Sequence, residues 1–397
     1  MSNILKNKKK VSIIGKGTGG CLTTSILLRN KNIDIDWYFD PNISAQSVGE
    51  GTLPHFPEHL QEDWGLSYNE LPNLDYSVKT GIRKINWGGD GDFIHTFDLG
   101  EVGIHFNASK YQSLITKLAP HKGVNIIPTP IQNLKDIDSD YIIDCSGSPK
   151  NYSKYNTCNF IPVNSAYITQ CYWDKPEFNY TLTIARPYGW VFGIPLQNRC
   201  SIGYLFNKDI NSLDEVKEDV QNIFSQFNLT PSEDKKYLNF NNYYKKQNFT
   251  DTISYNGNAS FFLEPMEATS LTFTTHNALL TSAILNKEIS IEECNESFLG
   301  LAEETEGMIM LHYLAGSKFN TKFWEFAKEK ANICLEQQLK NSKFKNTIVN
   351  SFKLKDYPFD VKAYNKDELL YGAWSTYSYY QNLKSLDLYK KILPYIK

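Results

Sequence analysis

One segment near the N-terminus constrains this chain more than any other. Val11–Ile14 is a short apolar run, Gly15-Lys-Gly-Thr-Gly-Gly20 follows it, and Leu22, Ile26 and Leu27 then share one helical face. Ile33–Phe39 alternates like a strand and stops at Asp40, twenty residues beyond Gly20. The order strand, GxGxxG, helix, strand, acid predicts the start of a doubly wound α/β sheet that binds a dinucleotide. Gly15 makes the tight turn, Gly17 lets backbone approach a pyrophosphate, and Gly20 permits close helix packing, while Asp40 can accept from a ribose hydroxyl. Gly15, Gly17, Thr18, Gly20 and Asp40 are therefore candidate cofactor contacts.

Farther along, Asp140-Tyr-Ile-Ile-Asp-Cys-Ser-Gly147 reads as a second buried parallel strand ending in a polar turn. That turn falls at the carboxyl edge, where such sheets bind ligands, which brings in Asp144 and Gly147. From Thr157 to Tyr204 the chain changes character: Tyr180–Arg186 and Cys200–Phe206 alternate like antiparallel strands. Asp214–Phe227 predicts an amphipathic helix, Gly257–Phe262 a further strand, and the sequence from His276 onward is mainly helical. No internal repeat is present.

Charge and composition exclude several classes. With 41 Lys plus Arg against 44 Asp plus Glu, and Arg29, Arg83, Arg186 and Arg199 as the only arginines, a nucleic-acid partner is not expected. Val11–Ile14 is too short for a signal-peptide core, and no stretch approaches the ~20 apolar residues of a membrane helix, so a cytoplasmic protein off the membrane is expected. Seven cysteines without a CxxC read as reduced, buried thiols, and the seven histidines lack zinc-ligand spacing, so no metal is expected. Aromatic residues make up 14% of the chain, which composition alone leaves open between core and pocket.

Several segments together resemble the flavin-dependent halogenases of the tryptophan-halogenase type. They are Gly15–Gly20, Gly49-Glu-Gly-Thr-Leu-Pro54, Lys79-Thr-Gly-Ile-Arg with Asn86-Trp87, Asp144–Gly147, Gly189-Trp-Val-Phe-Gly-Ile-Pro195 and Phe262-Leu-Glu-Pro-Met-Glu-Ala-Thr269, in family order. His312-Tyr313 and Phe323-Trp324 extend the likeness. The resemblance implies FAD, used as FADH2, with a halide and oxygen as co-substrates. Hypohalous acid would form at the flavin and pass to Lys79, which would deliver the halogen to an electron-rich ring of indole, phenol or pyrrole type. Glu267 would polarise the oxidant or take the ring proton. The resemblance adds Glu50, Gly51, Thr52, Phe262 and Pro265 to the cofactor contacts and assigns the halide to the backbone of Thr269 and Ser270.

Two departures stand out. Ser270 occupies a position that is usually Gly, which predicts a halide site favouring bromide or iodide over chloride. Phe192 replaces the second Trp of the barrier formed with Trp190, Ile194 and Pro195, which would keep the substrate from the flavin; strand alternation equally allows Trp190 and Phe192 to be core. His95 and Phe97 resemble residues lining the aromatic pocket, although His95 alone could be a surface residue.

The resemblance gives an α/β fold in which a Rossmann-like FAD-binding sheet is interleaved with an antiparallel β substrate module and followed by a mainly helical C-terminal region. The corresponding spans are 1–156 for the first part of the FAD module, 157–250 for the strand-rich insertion, 251–290 for the second part with the halide site, and 291–397 for the helical region completing the substrate pocket. No second fingerprint for a nicotinamide cofactor is visible, and the resemblance implies a separate NAD(P)H-dependent flavin reductase as the source of FADH2; a homo-oligomer is left open. The competing readings are an FAD-dependent aromatic monooxygenase and a catalytically inactive FAD-binding protein.

Overall fold

A computed structural model describes residues 8–43, 50–52, 54, 56–89, 91–97, 101–340, 342–354 and 374–396. The chain divides into two compact units: Met1–Tyr76 with Phe106–Thr157 and Tyr243–Leu299, and Ser77–His105 with Cys158–Asn242 and Gly300–Lys397.

The first unit is built on a five-stranded parallel sheet. Its strands are β1 (Lys9–Ile14), β2 (Ile33–Tyr38), β7 (Asn125–Ile127), β8 (Tyr141–Asp144) and β16 (Ile253–Tyr255), in the spatial order β16-β8-β1-β2-β7. Val11, Ile13, Tyr141 and Ile143 are buried, as strands covered on both faces require. Helix α1 (Thr18–Leu27) crosses from β1 to β2 and packs on α5 (Thr269–Asn286); α2 (Phe56–Trp64) and α3 (Ala108–Leu118) are further helices of this unit. The Asn107 side chain caps α3 by accepting from the Lys110 amide. A small antiparallel sheet joins β9 (Tyr155–Thr157), β15 (Tyr243–Lys245) and β17 (Phe261–Phe262).

The strand expected over Gly257–Phe262 is only partly formed. The Asn256 side chain accepts from the Gly257 amide at 2.9 Å, and Gly257 takes φ +55°, so one 3₁₀ turn forms over Gly257–Ala259 before the two residues of β17. A left-handed residue cannot continue a strand, and glycine is the residue that adopts it freely.

The second unit carries a seven-stranded sheet of β4 (Gly81–Ile85), β5 (Asp92–Thr96), β10 (Ser165–Tyr172), β11 (Thr181–Arg186), β12 (Gly189–Pro195), β13 (Arg199–Phe206) and β14 (Thr230–Asn239). Its order is β14-β10-β13-β12-β11-β4-β5, and β4 enters it parallel to β11 with Thr181 opposite Ile82. That pairing draws Ser77–His105 into this unit, although the segment lies inside the 1–156 span. A two-stranded ribbon pairs β3 (Ser77–Lys79) with β6 (Gly103–His105). Val191, Leu182, Ile202 and Tyr204 on one sheet face pack with Val216, Val220 and Ile223 of α4 (Leu213–Gln226), whose first turn closes with a Ser212–Glu215 capping box. The chain continues through α6 (Ile291–Ala315), α7 (Lys322–Gln338), α8 (Ser342–Leu354), α9 (Thr376–Ser385) and α10 (Tyr389–Ile396). The α/β class and helical C-terminal region read from the sequence agree with this architecture. All seven cysteines are free and buried.

Candidate active site

In the first unit the glycine loop leaves β1 and enters α1. Gly15 has φ +103°, and a Cβ there would lie 2.4 Å from the Cys145 carbonyl oxygen; a Cβ on Gly20 would lie 2.0 Å from the Gly15 oxygen. Both positions therefore exclude any side chain. Trp37 Nε1 donates to the Gly15 oxygen at 2.8 Å, and the Gly15 amide donates to the Tyr38 oxygen at 2.7 Å, tying the loop to β2. Gly17 differs: nothing lies within 4 Å of where its Cβ would stand. It is also the N-cap of α1 and offers no side-chain cap. The result is an open cradle beside uncapped helix amides at the positive end of a helix dipole, which fits a dinucleotide pyrophosphate.

The other expected cofactor contacts surround the carboxyl edge or lie elsewhere in the same unit. Thr18 accepts from Gln112 Nε2 at 3.2 Å. Asp40, two residues past β2, accepts from the Asn42 amide through Oδ1 at 2.8 Å. Asp144 ends β8 and accepts from the Ser146 amide at 2.9 Å, while Gly147 takes φ +111°. Glu50 is fully buried and accepts from the Ala108 amide at 3.2 Å; Thr52 is buried and Gly51 half-buried. Gly49 and Leu53 of that motif lie outside the described residues. Phe262 stacks on Tyr243 with ring centroids 6.4 Å apart, and Pro265 is exposed.

Between Pro265 and α5 the backbone is strained. Glu267 (φ +66°) and Ala268 (φ +55°) are consecutive non-glycine residues in the left-handed region, each costing about 1 to 2 kcal/mol. Ala268 is the N-cap of α5 and supplies no side-chain cap. Thr269 is buried, and its hydroxyl has no hydrogen-bond partner among the described residues. Uncapped amides with an unpartnered buried hydroxyl form a small site suited to an anion. Ser270 is half-buried at the next position, and its carbonyl accepts from Thr274 Oγ1 at 2.8 Å. Glu267 itself is buried.

The second unit holds Lys79. It ends β3 with no exposed surface, and its ammonium lies 5.3 Å from the centroid of the half-buried Phe97 ring, a cation–π arrangement. Two residues before it, Ser77 donates to the Pro195 carbonyl at 2.6 Å. Ser77 also pairs with His105 across the ribbon, with Oγ and Nδ1 3.2 Å apart, and His105 Nε2 lies 2.9 Å from Thr181 Oγ1. Burial, and then the charge of Lys79, hold the His105 pKa well below its ordinary value, so its imidazole stays neutral. His105 was missed from the sequence: a lone histidine in a short strand carries no signal until the ribbon sets it diagonally opposite Lys79. His95 is half-buried on β5, with Nε2 3.0 Å from Ser378 Oγ of α9.

Trp190, Phe192 and Ile194 share one face of β12, opposite the α4-packed face of Val191. Trp190 is fully buried, with its ring centroid 6.3 Å from Trp87 and 6.4 Å from Phe192. The Phe192 ring lies over Gly203 of the neighbouring strand, where any Cβ would strike it. Trp87 also meets His312, Tyr313 and Trp324 edge-on, with centroids 5.4–5.9 Å apart. Among the described residues no cluster of His, Cys, Asp or Glu could hold a metal, and no helix is long and apolar enough to cross a membrane.

A parallel sheet whose first strand runs through an open glycine cradle into a helix defines a dinucleotide-binding unit, and a separate β-rich unit carries a fully buried lysine. The sequence matches the tryptophan halogenase family over residues 10–104 and 100–383, and the chain belongs to that family. It is similar to tryptophan 7-halogenase RebH of Lentzea aerocolonigenes, 21% identical over 96% of this chain and 89% of that protein. The fold is similar to tryptophan 6-halogenase SttH of Streptomyces toxytricini (TM-score 0.75, 18% identity, 95% and 90% of the two chains). It is also similar to BrvH, a flavin-dependent halogenase of Brevundimonas sp. BAL3 (TM-score 0.69, 20% identity, 82% of each chain). The protein is thus a flavoprotein oxidoreductase of the flavin-dependent halogenase class.

Proposed function

We propose that this enzyme halogenates an electron-rich aromatic ring of indole, phenol or pyrrole type by electrophilic substitution, with Lys79 delivering the halogen. Bound FADH2, with oxygen and a halide, supplies hypohalous acid, and the chain's own residues do the rest. Gly17 and the α1 amides hold the pyrophosphate, with Asp40 on the ribose. The α5 N-terminus at Thr269 and Ser270 binds the halide. Lys79 holds hypohalous acid by hydrogen bond, or reacts as the free amine to give a haloamine and water. Transfer to the ring returns the amine, and Glu267 polarises the oxidant or accepts the displaced ring proton. Trp190, Phe192, Ile194 and Pro195 keep the organic substrate from the cofactor, while His95 and Phe97 line its pocket. FADH2 comes from a separate NAD(P)H-dependent reductase.

The observation that carries this reading is the total burial of Lys79 against an aromatic ring. A charged amine is costly to bury, and here an aromatic face stabilises it where water cannot compete for the oxidant. The test is turnover with FAD, a flavin reductase, NADH and bromide against a panel of indoles, phenols and pyrroles, read by mass spectrometry. A monobrominated product that requires bromide is expected. A hydroxylated product formed without halide would overturn the reading in favour of an oxygenase.

A further inference from the structure

Lys84 is a second buried lysine, five residues beyond Lys79, to which the proposed reaction gives no part. It has no exposed surface. Its ammonium donates to Asn382 Oδ1 of α9 at 2.7 Å and meets His312 Nε2 of α6 at 2.5 Å. His312 is also fully buried, and its Nδ1 lies 3.0 Å from the Met308 carbonyl. A carbonyl can only accept, so Nδ1 carries the imidazole proton and Nε2 accepts from Lys84. The ring is therefore fixed at both nitrogens, and it stands edge-on to Trp87 at 5.8 Å and 83°. Trp87 packs in turn on Trp190 and Trp324.

Asn382 donates within α9 to the Ser378 carbonyl at 3.3 Å, and Ser378 holds His95. Tyr379 on the same helix donates to the buried carboxyl of Glu304 at 3.0 Å. One cation thus orients the histidine behind the tryptophan cluster and docks the helix behind the β4–β5 hairpin, the hairpin that follows Lys79 and precedes Phe97. An apolar side chain in its place would leave both His312 Nε2 and Asn382 Oδ1 buried without their donor.

We propose that Lys84 is a positioning residue: through His312 and Asn382 it holds the Trp87–Trp190 wall and α9 in register, so that oxidant is passed on to substrate and not lost. The inference rests on the halogenase reading above. It predicts a change in the partition of oxidant, which a merely structural tie would not give, since such a tie would lower stability and total turnover alone.

The test measures two products in one reaction with bromide: brominated substrate, and hypobromous acid captured by a cyclic diketone trap. Flavin affinity is measured alongside by fluorescence titration. For Lys84→Met the ratio of trapped oxidant to brominated substrate should rise about fivefold or more, with flavin affinity within twofold of wild type. An unchanged ratio, at whatever total activity, overturns the proposal. Should Lys84→Met fail to fold, Asn382→Leu removes one acceptor and should raise the ratio about twofold, and an unchanged ratio there is equally decisive. Wild-type enzyme yielding neither trapped oxidant nor brominated product would sink the halogenase reading, and this inference with it.

Discussion

The two units build their candidate sites from different materials. In the first, the candidate site is shaped by backbone: the amides after Gly17, the carbonyl that forbids a side chain at Gly20, and the left-handed turn at Glu267 and Ala268 that opens α5. In the second, it is shaped by buried side chains: Lys79 over Phe97, neutral His105 beside it, and Lys84 bonded to His312 and Asn382. Backbone sites depend on conformation and on the glycines that permit it. Side-chain sites depend on which strands and helices meet, so each group must be paired or kept neutral after leaving water.

Four substitutions or conditions would break or sharpen that contrast. Glu267 is the first-unit side chain proposed to act on the reacting atoms, and Glu267→Gln should lower turnover about 1000-fold while flavin affinity is kept. A fall of only a few-fold would leave no first-unit side chain acting on the reacting atoms. Gly20→Ala should weaken flavin binding about 100-fold in a fluorescence titration, because its methyl has no room beside the Gly15 oxygen at 2.0 Å.

In the second unit, burial raises the Glu306 carboxyl from its ordinary 4.5 to about 7. The folded protein keeps that proton where the unfolded chain has released it, so this contribution to stability is full below about 4.5 and is lost as pH rises to about 7. Relative to wild type, Glu306→Gln should gain on the order of 3 kcal/mol across that window in denaturant melts. The smallest effect concerns Ser270: with equal chloride, bromide and iodide in competition, bromide or iodide should win by a few-fold. A clear chloride preference would show that the Ser270 side chain leaves the anion site unaltered.

The same contrast explains what could be read from the chain. Gly15, Gly17 and Gly20 were legible through their fixed spacing between a strand and a helix: at Gly15 and Gly20 a Cβ would strike a carbonyl, and at Gly17 the open backbone leaves room for a ligand. The alternation of Trp190–Pro195 gave the strand but not its partner, because alternation is the same for a core wall and a pocket wall. Gly257–Phe262 was misread because its apolar content outweighed one left-handed glycine. Lys84 and Asn382 stand 298 residues apart, and nothing local in either segment announces the bond. Among so many lysines, a buried one carries no mark of its own; Lys79 was found only through its motif, and His105 and Lys84 not at all.

The most direct test of the central claim is Lys79→Ala, assayed with FAD, a flavin reductase, bromide and the best aromatic substrate while flavin affinity and trapped hypobromous acid are followed. Flavin binding and oxidant formation should persist, with brominated substrate falling at least about 1000-fold. Wild-type bromination by Lys79→Ala would contradict the account, since the halogen would then reach the ring without this amine.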